Sequence, residues 1–465
     1  MRKPNAPTSN KHWRPPPRQH KPQPKPPPPP APAGLPAREA AVRLLTNVLG
    51  DGHAFDGAVA KEFQGSALEP RDRALARLIA ATVLRRLGEL EAVLNSYLEK
   101  PLPKQKGALW PILLSGAAQL LFLETPPHAA VGLAVDQVRR DRHAGRYDKL
   151  VNALLRRVAR EGAATLQAKD GVALNTPAWM LQRWTKAYGT ETARRIADAS
   201  LTEAPLDLSV KDAPETWAER LGGRVLPTGT VRLAAGGRIE DLPGYADGGW
   251  WVQDAAAALP VHFLGSVVGK SVVDMCAAPG GKTAQLAAAG ANVTAIDLSG
   301  ARLQRLAANL ERLQLKAELV EADAGAWAPA RTFDAVLLDA PCTATGTIRR
   351  HPDILRLKRP DDVAALAAIQ TRLLDNAAKL VAPGGTLLYC SCSLEPEEGS
   401  QQIERFLARN NGFSPAPIAP GEVGIAAEWL TPAGELRTLP FHLAGDTPQL
   451  SGMDGFYAAR LVRTA

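Results

Sequence analysis

Four cysteines, Cys276, Cys342, Cys390 and Cys392, are the strongest nucleophiles in a chain of 465 residues. A thiolate can attack carbon or bind metal. Zinc would need paired C-x-x-C or cysteine–histidine spacing, and neither is present, so no metal site is expected. A free cysteine taken alone is more often a small buried hydrophobe, and Cys276 is read in that way. Cys276 also opens the string Cys276-Ala277-Ala278-Pro279-Gly280-Gly281-Lys282. Small residues there let the backbone approach a ligand closely, and the helix expected to follow presents free amides to it. Gly281-Lys282-Thr283 imitates a Walker loop, but the glycine required five residues before Gly281 is Cys276; the fingerprint G-x-G-x-x-G is absent too. Asp297, Asp323 and Asp339 each follow or close a candidate strand. One such aspartate is more often a helix cap or turn former. Three of them after a glycine-rich loop describe a nucleoside pocket, in which Asp297 could take both hydroxyls of a ribose. Residues 348–359 hold Arg349, Arg350, Arg356, Lys358 and Arg359, which could track phosphates or form a solvated helix face.

These groups need a scaffold. From Trp250 onward, short β-rich runs at Ser271–Met275, 293–297, 335–339 and 386–389 alternate with helical stretches such as 299–313 and 361–380. That alternation predicts a Rossmann-like, doubly wound parallel α/β sheet, whose ligands sit at the carboxyl ends of the strands. Residues 38 to about 160 are rich in Ala and Leu at three- and four-residue spacing, which predicts an all-helical domain. Pro70, Pro111 and Pro127 stand where helices begin, and 50–52 and 101–103 read as breaks. Residues 161–176 read as a linker, and 177–250 as two short helices with strands such as Leu206–Val210. The expected division is a disordered basic tail, 1–36; an all-helical domain, 37–162; a small α+β unit, 163–250; and a catalytic domain, 251–465.

The first 36 residues contain fourteen prolines and almost no aliphatic side chains, so disorder with polyproline II character is expected. Net charge is +8, distributed as +7 on residues 1–35, +6 on 38–160 and −5 on 161–465. The front of the molecule therefore suits a polyanion such as RNA. Apolar content of 45% is that of a globular chain. No apolar run is long enough to span a membrane, no secretory signal opens the chain, and cysteine is sparse, all of which fits a reducing cytoplasm.

Cys276 to Lys282, Asp339-Ala340-Pro341-Cys342-Thr343-Ala344-Thr345-Gly346 and Ser391-Cys392-Ser393 together resemble the motifs of the bacterial RNA cytosine-5 methyltransferases, and in particular the Sun/Fmu family of ribosomal RNA enzymes. The resemblance extends to Trp251-Val252-Gln253-Asp254, Arg349-Arg350-His351-Pro352-Asp353 and Asp454-Gly455-Phe456-Tyr457, and to the helical front, which is similar to NusB. It implies S-adenosylmethionine as cofactor, with 276–282 around its methionine part, Asp297 at the ribose, Asp323 at the adenine, and Asp339 between cofactor and base. It also implies Cys392 as nucleophile, Cys342 as the residue of release, RNA as partner, and a monomer. Ser391 replaces the usual threonine, and Cys390 is an additional thiol two residues before the nucleophile. The motifs do not separate ribosomal from transfer RNA. A non-catalytic RNA-binding scaffold is the remaining alternative, but it would have no need of Cys342, Cys392, Asp339 and the cofactor loop together.

Overall fold

A computed structural model describes residues 32–102, 107–234 and 237–464, together with Met1. Most of the proline-rich tail, and with it the expected disorder, lies outside the described residues, as does Pro103. The helical front consists of α1 (Leu35–Leu49), α2 (Phe55–Phe63), α3 (Pro70–Arg85), α4 (Leu87–Tyr97), α5 (Leu109–Leu121), α6 (Pro127–Arg140) and α7 (Asp148–Gln167). Pro70 and Pro127 open α3 and α6, where proline's fixed φ suits the helix. Pro111 lies in the first turn of α5, so its missing N–H costs no helical bond. The apolar stripe of α3 (Ala80, Val83, Leu84) meets Leu113 of α5 and Leu155 and Val158 of α7 in one core.

The expected linker is helical instead. Helix α7 runs to Gln167, and α8 (Gly171–Asn175) follows after three residues. Gly162, a residue that suggests flexibility, marks a close approach: a Cβ there would lie 2.8 Å from Leu121 Cδ2. Buried Asn175 donates to Glu89 Oε2 at 2.7 Å and accepts from the Glu89 amide at 3.2 Å, fixing α8 to α4.

Next come α9 (Ala178–Tyr188), α10 (Thr190–Ser200), β1 (Leu206–Val210), α11 (Pro214–Leu221), β2 (Arg224–Val225), β3 (Val231–Leu233) and β4 (Trp250–Val252). The strands form an antiparallel sheet of order β2-β3-β1-β4. In it, Arg232 meets Asp207 through two bonds of 2.7 Å, and neither side chain is exposed.

The rear of the chain runs α12 (Ala255–His262), β5 (Ser271–Met275), α13 (Gly281–Ala288), β6 (Asn292–Asp297), α14 (Gly300–Arg312), β7 (Glu318–Glu321), β8 (Phe333–Asp339), α15 (Ile354–Leu357), α16 (Pro360–Leu380), β9 (Val381–Ser391), α17 (Ser400–Arg409), β10 (Phe413–Pro415), β11 (Leu436–Thr438) and β12 (Phe456–Arg463). The sheet order is β10-β12-β9-β8-β5-β6-β7, with β11 added beside β12. Strands β9, β8, β5, β6 and β7 are parallel, and β12 returns antiparallel to β9. Val272, Leu337 and Leu388 pack under α12 and α13, whereas Val273, Val336, Leu338 and Leu387 pack under α16 and α17. Helices therefore cover both faces, and the strand order reverses between β5 and β8, where α/β sheets open a ligand crevice. The helical front docks on this unit through the Phe55 amide to Asp353 at 2.9 Å, Arg85 to the Arg349 carbonyl at 2.9 Å, and His351 to Asp56 at 3.2 Å.

Breaking a buried pair leaves its partner charged and unpaired, which costs about 3–5 kcal/mol. Asp207→Ala should lower stability by that amount in chemical denaturation, while replacing Asp207 and Arg232 together with Leu and Met should recover most of the loss. Equal instability of single and double variants would show that the pair's charge is not the cause.

Candidate active site

The reactive groups collect where β8 and β9 leave the sheet side by side. Asp339, the last residue of β8, stands opposite Cys390 on β9. Strand alternation turns Cys390 into the core under α12 and α13, where it has no exposure; Cys392 lies one residue beyond the strand end and is half-buried. This separates the two thiols. Cys392 Sγ lies 3.4 Å from Cys342 Sγ, and Cys390 Sγ points to Asp339 Oδ1 at a long 3.6 Å. Lys282, from the first turn of α13, donates to Asp339 Oδ2 at 2.8 Å and lies 5.0 Å from the Phe456 ring centroid. Burial alone would lower the Lys282 pKa, but Asp339 outweighs it and holds the ammonium charged. The contact with Cys342, together with burial, pushes the Cys392 thiol well above its ordinary range. Burial does the same to Cys390, and raises half-buried Cys276 to about 12.

The two cysteine loops are joined along their length. The Gly346 amide donates to the Cys392 carbonyl at 2.9 Å, and the Gly455 amide to the Gly346 carbonyl at 2.8 Å. A Cβ at 346 would fall 1.9 Å from the Gly455 carbonyl oxygen, so only glycine fits. Fully buried Glu398 accepts from Thr343, Ser393 and Gln370. Glu395, equally buried, accepts from Arg183 at 2.5 Å and from Trp184 Nε1 at 3.1 Å, which ties the loop after Cys392 to α9. Sequence reasoning missed both glutamates. The available signal was Glu395-Pro396-Glu397-Glu398 directly after a strand end, a run that reads as solvated charge.

A cleft of about 500 Å³ opens beside the loop between β5 and α13, walled in part by Asp274, Gly280, Gly281, Lys282, Gln253 and Asp339. Buried Asp274 accepts from Thr283 through Oδ2 at 2.6 Å, whereas Oδ1 has no partner among the described residues. Burial raises its pKa to about 7. A buried acceptor left open in a cleft wall fits a polar ligand group. Asp297 and Asp323 do not line this cleft. Asp297 is buried at the end of β6, accepting from the Ala278 amide at 3.1 Å and the Ser299 amide at 3.0 Å, with Arg302 at 3.4 Å. It therefore shapes the loop between β5 and α13 directly. Asp323 is exposed in part and accepts from Arg372 at 2.7 Å.

The reading of 348–359 as a phosphate track is corrected for most of its residues. Arg349 is buried and donates to the Ser451 carbonyl at 2.7 Å. Arg350 donates to Asp254 at 2.6 Å and to Asp454 at 3.3 Å. Arg356 donates to the Asn175 carbonyl at 3.0 Å. Of these five only Arg359 is exposed, with Lys358 half-buried. The local charge was legible, but its partners come from distant parts of the chain.

A parallel sheet covered on both faces, closed by an antiparallel final strand and carrying a glycine-rich loop at its switch point, is a class I methyltransferase fold. The comparisons agree. Residues 261–462 match the family described as 16S rRNA methyltransferase RsmB/F, and residues 35–160 match the NusB family. The ribosomal RNA small subunit methyltransferase B of Vibrio cholerae is 38% identical over 412 residues, covering 83% of this chain and 94% of the relative. That of Xanthomonas campestris is 36% identical over 453 residues, covering 93% and 98%. The solved structure of a methyltransferase homologue from Pyrococcus horikoshii superposes with a TM-score of 0.50 at 26% identity, covering 66% of this chain and 98% of that one. The chain belongs to the ribosomal RNA small subunit methyltransferase B family, whose cofactor is S-adenosylmethionine.

In the folded protein Cys390 should resist iodoacetamide. Because the Cys392 pKa is raised, its thiolate fraction, and hence its alkylation rate, should climb about tenfold per pH unit between pH 7 and 9. Mass spectrometry of peptides from a pH series checks this; a plateau near pH 8 would contradict the raised pKa.

Proposed function

We propose that the protein methylates carbon 5 of a cytosine in small-subunit ribosomal RNA, with Cys392 as covalent catalyst and Cys342 serving release. The observation that carries this reading is the contact of the two thiols beside the Lys282–Asp339 pair. Carbon 5 of cytosine is a poor nucleophile, because the ring nitrogens and carbonyl withdraw electrons. Bonding of Cys392 sulfur to carbon 6 makes carbon 5 enamine-like. S-adenosylmethionine, when bound, supplies an electrophilic methyl group. Asp339, oriented by Lys282 at Oδ2, meets among the described residues only the weak Cys390 donor at Oδ1, so Oδ1 is suited to take up the proton that Cys392 gives up and to donate it to ring nitrogen 3, which draws density from carbon 6. Release then needs the carbon 5 proton removed, the ring double bond re-formed, and the bond from carbon 6 to Cys392 broken. We assign this step to Cys342, 3.4 Å from the leaving sulfur, as the group that takes the carbon 5 proton. For the cofactor, the backbone of 276–282, the open acceptor on Asp274, and Asp297 are the groups we assign, with Asp323 at the adenine end.

Charge supports RNA as substrate. The +6 of the helical front falls entirely in residues 139–160; residues 38–138 are balanced. Arg139, Arg140, Arg142, Arg146, Lys149, Arg156, Arg157 and Arg160 are all exposed. Arg139, Arg156 and Arg160 also line a groove of about 730 Å³ between α6 and α7. Names of the relatives favour ribosomal over transfer RNA.

Denaturing electrophoresis after incubation with ribosomal RNA and S-adenosylmethionine tests the chemistry. Cys342→Ala should give a slow, RNase-sensitive band, whereas Cys392→Ala and the double variant should give none. A band from Cys392→Ala that vanished on also replacing Cys390 would move the nucleophile two residues upstream.

Replacing Arg139, Arg156 and Arg160 together with Gln should raise KM for RNA without lowering kcat, and should flatten the slope of log affinity against log salt by about two. An unchanged slope would remove this groove from the RNA path.

A further inference from the structure

One buried carboxylate touches the residue after each reactive cysteine. The Thr343 amide donates to both Glu398 oxygens, at 3.0 Å to Oε1 and 3.2 Å to Oε2. The Thr343 hydroxyl also donates to Oε2, Ser393 Oγ donates to Oε2 at 2.6 Å, and Gln370 Nε2 donates to Oε1 at 2.9 Å. Thr343, Ser393, Gln370 and Glu398 have no exposure. Thr343 follows Cys342, and Ser393 follows Cys392.

The two loops depend on this carboxylate unequally. Cys392 has anchors of its own, apart from the Gly346 bond that the two loops share: Ser391 pairs with Tyr457 on β12, and Arg437 donates to the Ser393 carbonyl. The Cys342 loop is held near its sulfur chiefly through Thr343, which makes three of the five bonds to Glu398, and through Gln370 Nε2 on the Pro341 carbonyl at 2.9 Å. Gln370 is itself a Glu398 partner. Removing the carboxylate therefore frees Cys342 more than Cys392.

We infer that Glu398 is the positioning residue that holds Cys342 against Cys392, and so sets the rate of adduct release rather than of adduct formation. The inference rests on the two-cysteine reading above. The Glu398 carboxylate bonds Thr343, Ser393 and Gln370 rather than either reacting sulfur, and it acts through Thr343 and Ser393. Its two oxygens also differ in a way that predicts which substitution the site accepts. Oε1 faces an amide and a carboxamide N–H, which cannot reverse. Oε2 faces, besides the long amide contact, two hydroxyls, which can turn to accept. A glutamine with its oxygen at the Oε1 position and its NH₂ at the Oε2 position would keep most of the network.

The test uses the full chain with ribosomal RNA and S-adenosylmethionine. Glu398→Ala should lower kcat about tenfold or more, leave KM for RNA and the affinity for S-adenosylmethionine within about twofold, and accumulate the RNase-sensitive adduct. Glu398→Gln should restore turnover to within about threefold and abolish the accumulation. Should Glu398→Ala fail to fold, Thr343→Val with Ser393→Ala removes the hydroxyls and leaves the carboxylate; it should show the same adduct to a smaller degree. Loss of turnover without adduct in Glu398→Ala, or in the hydroxyl variant, would overturn the inference. So would a Glu398→Gln variant as impaired as Glu398→Ala, because it would assign the residue a charge or proton role. Cys342→Ala in parallel reports on the underlying reading: no adduct there rejects the two-cysteine chemistry itself, whereas adduct there and none in Glu398→Ala rejects only the positioning role.

Discussion

Asp339 and Cys390 face each other across the parallel pair β8–β9, and this register decides where every reactive group comes to rest. Two neighbouring parallel strands leave a sheet in the same direction, so the loops after them must run side by side. Cys342 is three residues past Asp339, and Cys392 two residues past Cys390. A slip of one residue would turn Cys390 out of the core and carry the Cys392 loop away from Cys342. Against such a slip stand the apolar residues of alternating face, Leu387 and Tyr389 on one side and Leu388 and Cys390 on the other, each set fully buried under its own helices. The precision of the chemistry thus derives from the packing of both faces of one strand.

Much of this was readable in the chain. The runs 271–275, 293–297, 335–339 and 386–389 lie within strands β5, β6, β8 and β9, because short β-rich runs between helical stretches are a local signal. Features set by distant partners were not readable. Arg349 and Arg350 look like a surface charge until Ser451, Asp254 and Asp454 are brought to them from elsewhere. Glu395 and Glu398 look solvated until α9 and the Cys342 loop supply donors. Residues 161–176 look like a linker until Leu121 is seen packed against Gly162. Cys390 and Cys392 share strand parity, and what separates them is where β9 ends, a boundary that sequence patterns place poorly.

Electrostatically the centre is divided. Lys282 is held as an ammonium by its contact with Asp339, while burial keeps the Cys390 thiol protonated and the contact with Cys342, together with burial, does so for Cys392. A thiol that is neutral at rest is protected from stray electrophiles.

One kind of bond recurs at the seams between the parts of the molecule: an arginine on one side and a main-chain carbonyl on the other. Arg85 meets Arg349, Arg86 meets Leu201, Arg349 meets Glu203, Arg350 meets Pro205, and Arg356 meets Asn175. A carbonyl oxygen is offered by every residue type. The carbonyl side of each seam is therefore free to drift in evolution as long as the backbone keeps its course, while the arginine side is fixed. Between homologues, mutational tolerance across these interfaces should be lopsided, with variable positions facing invariant ones.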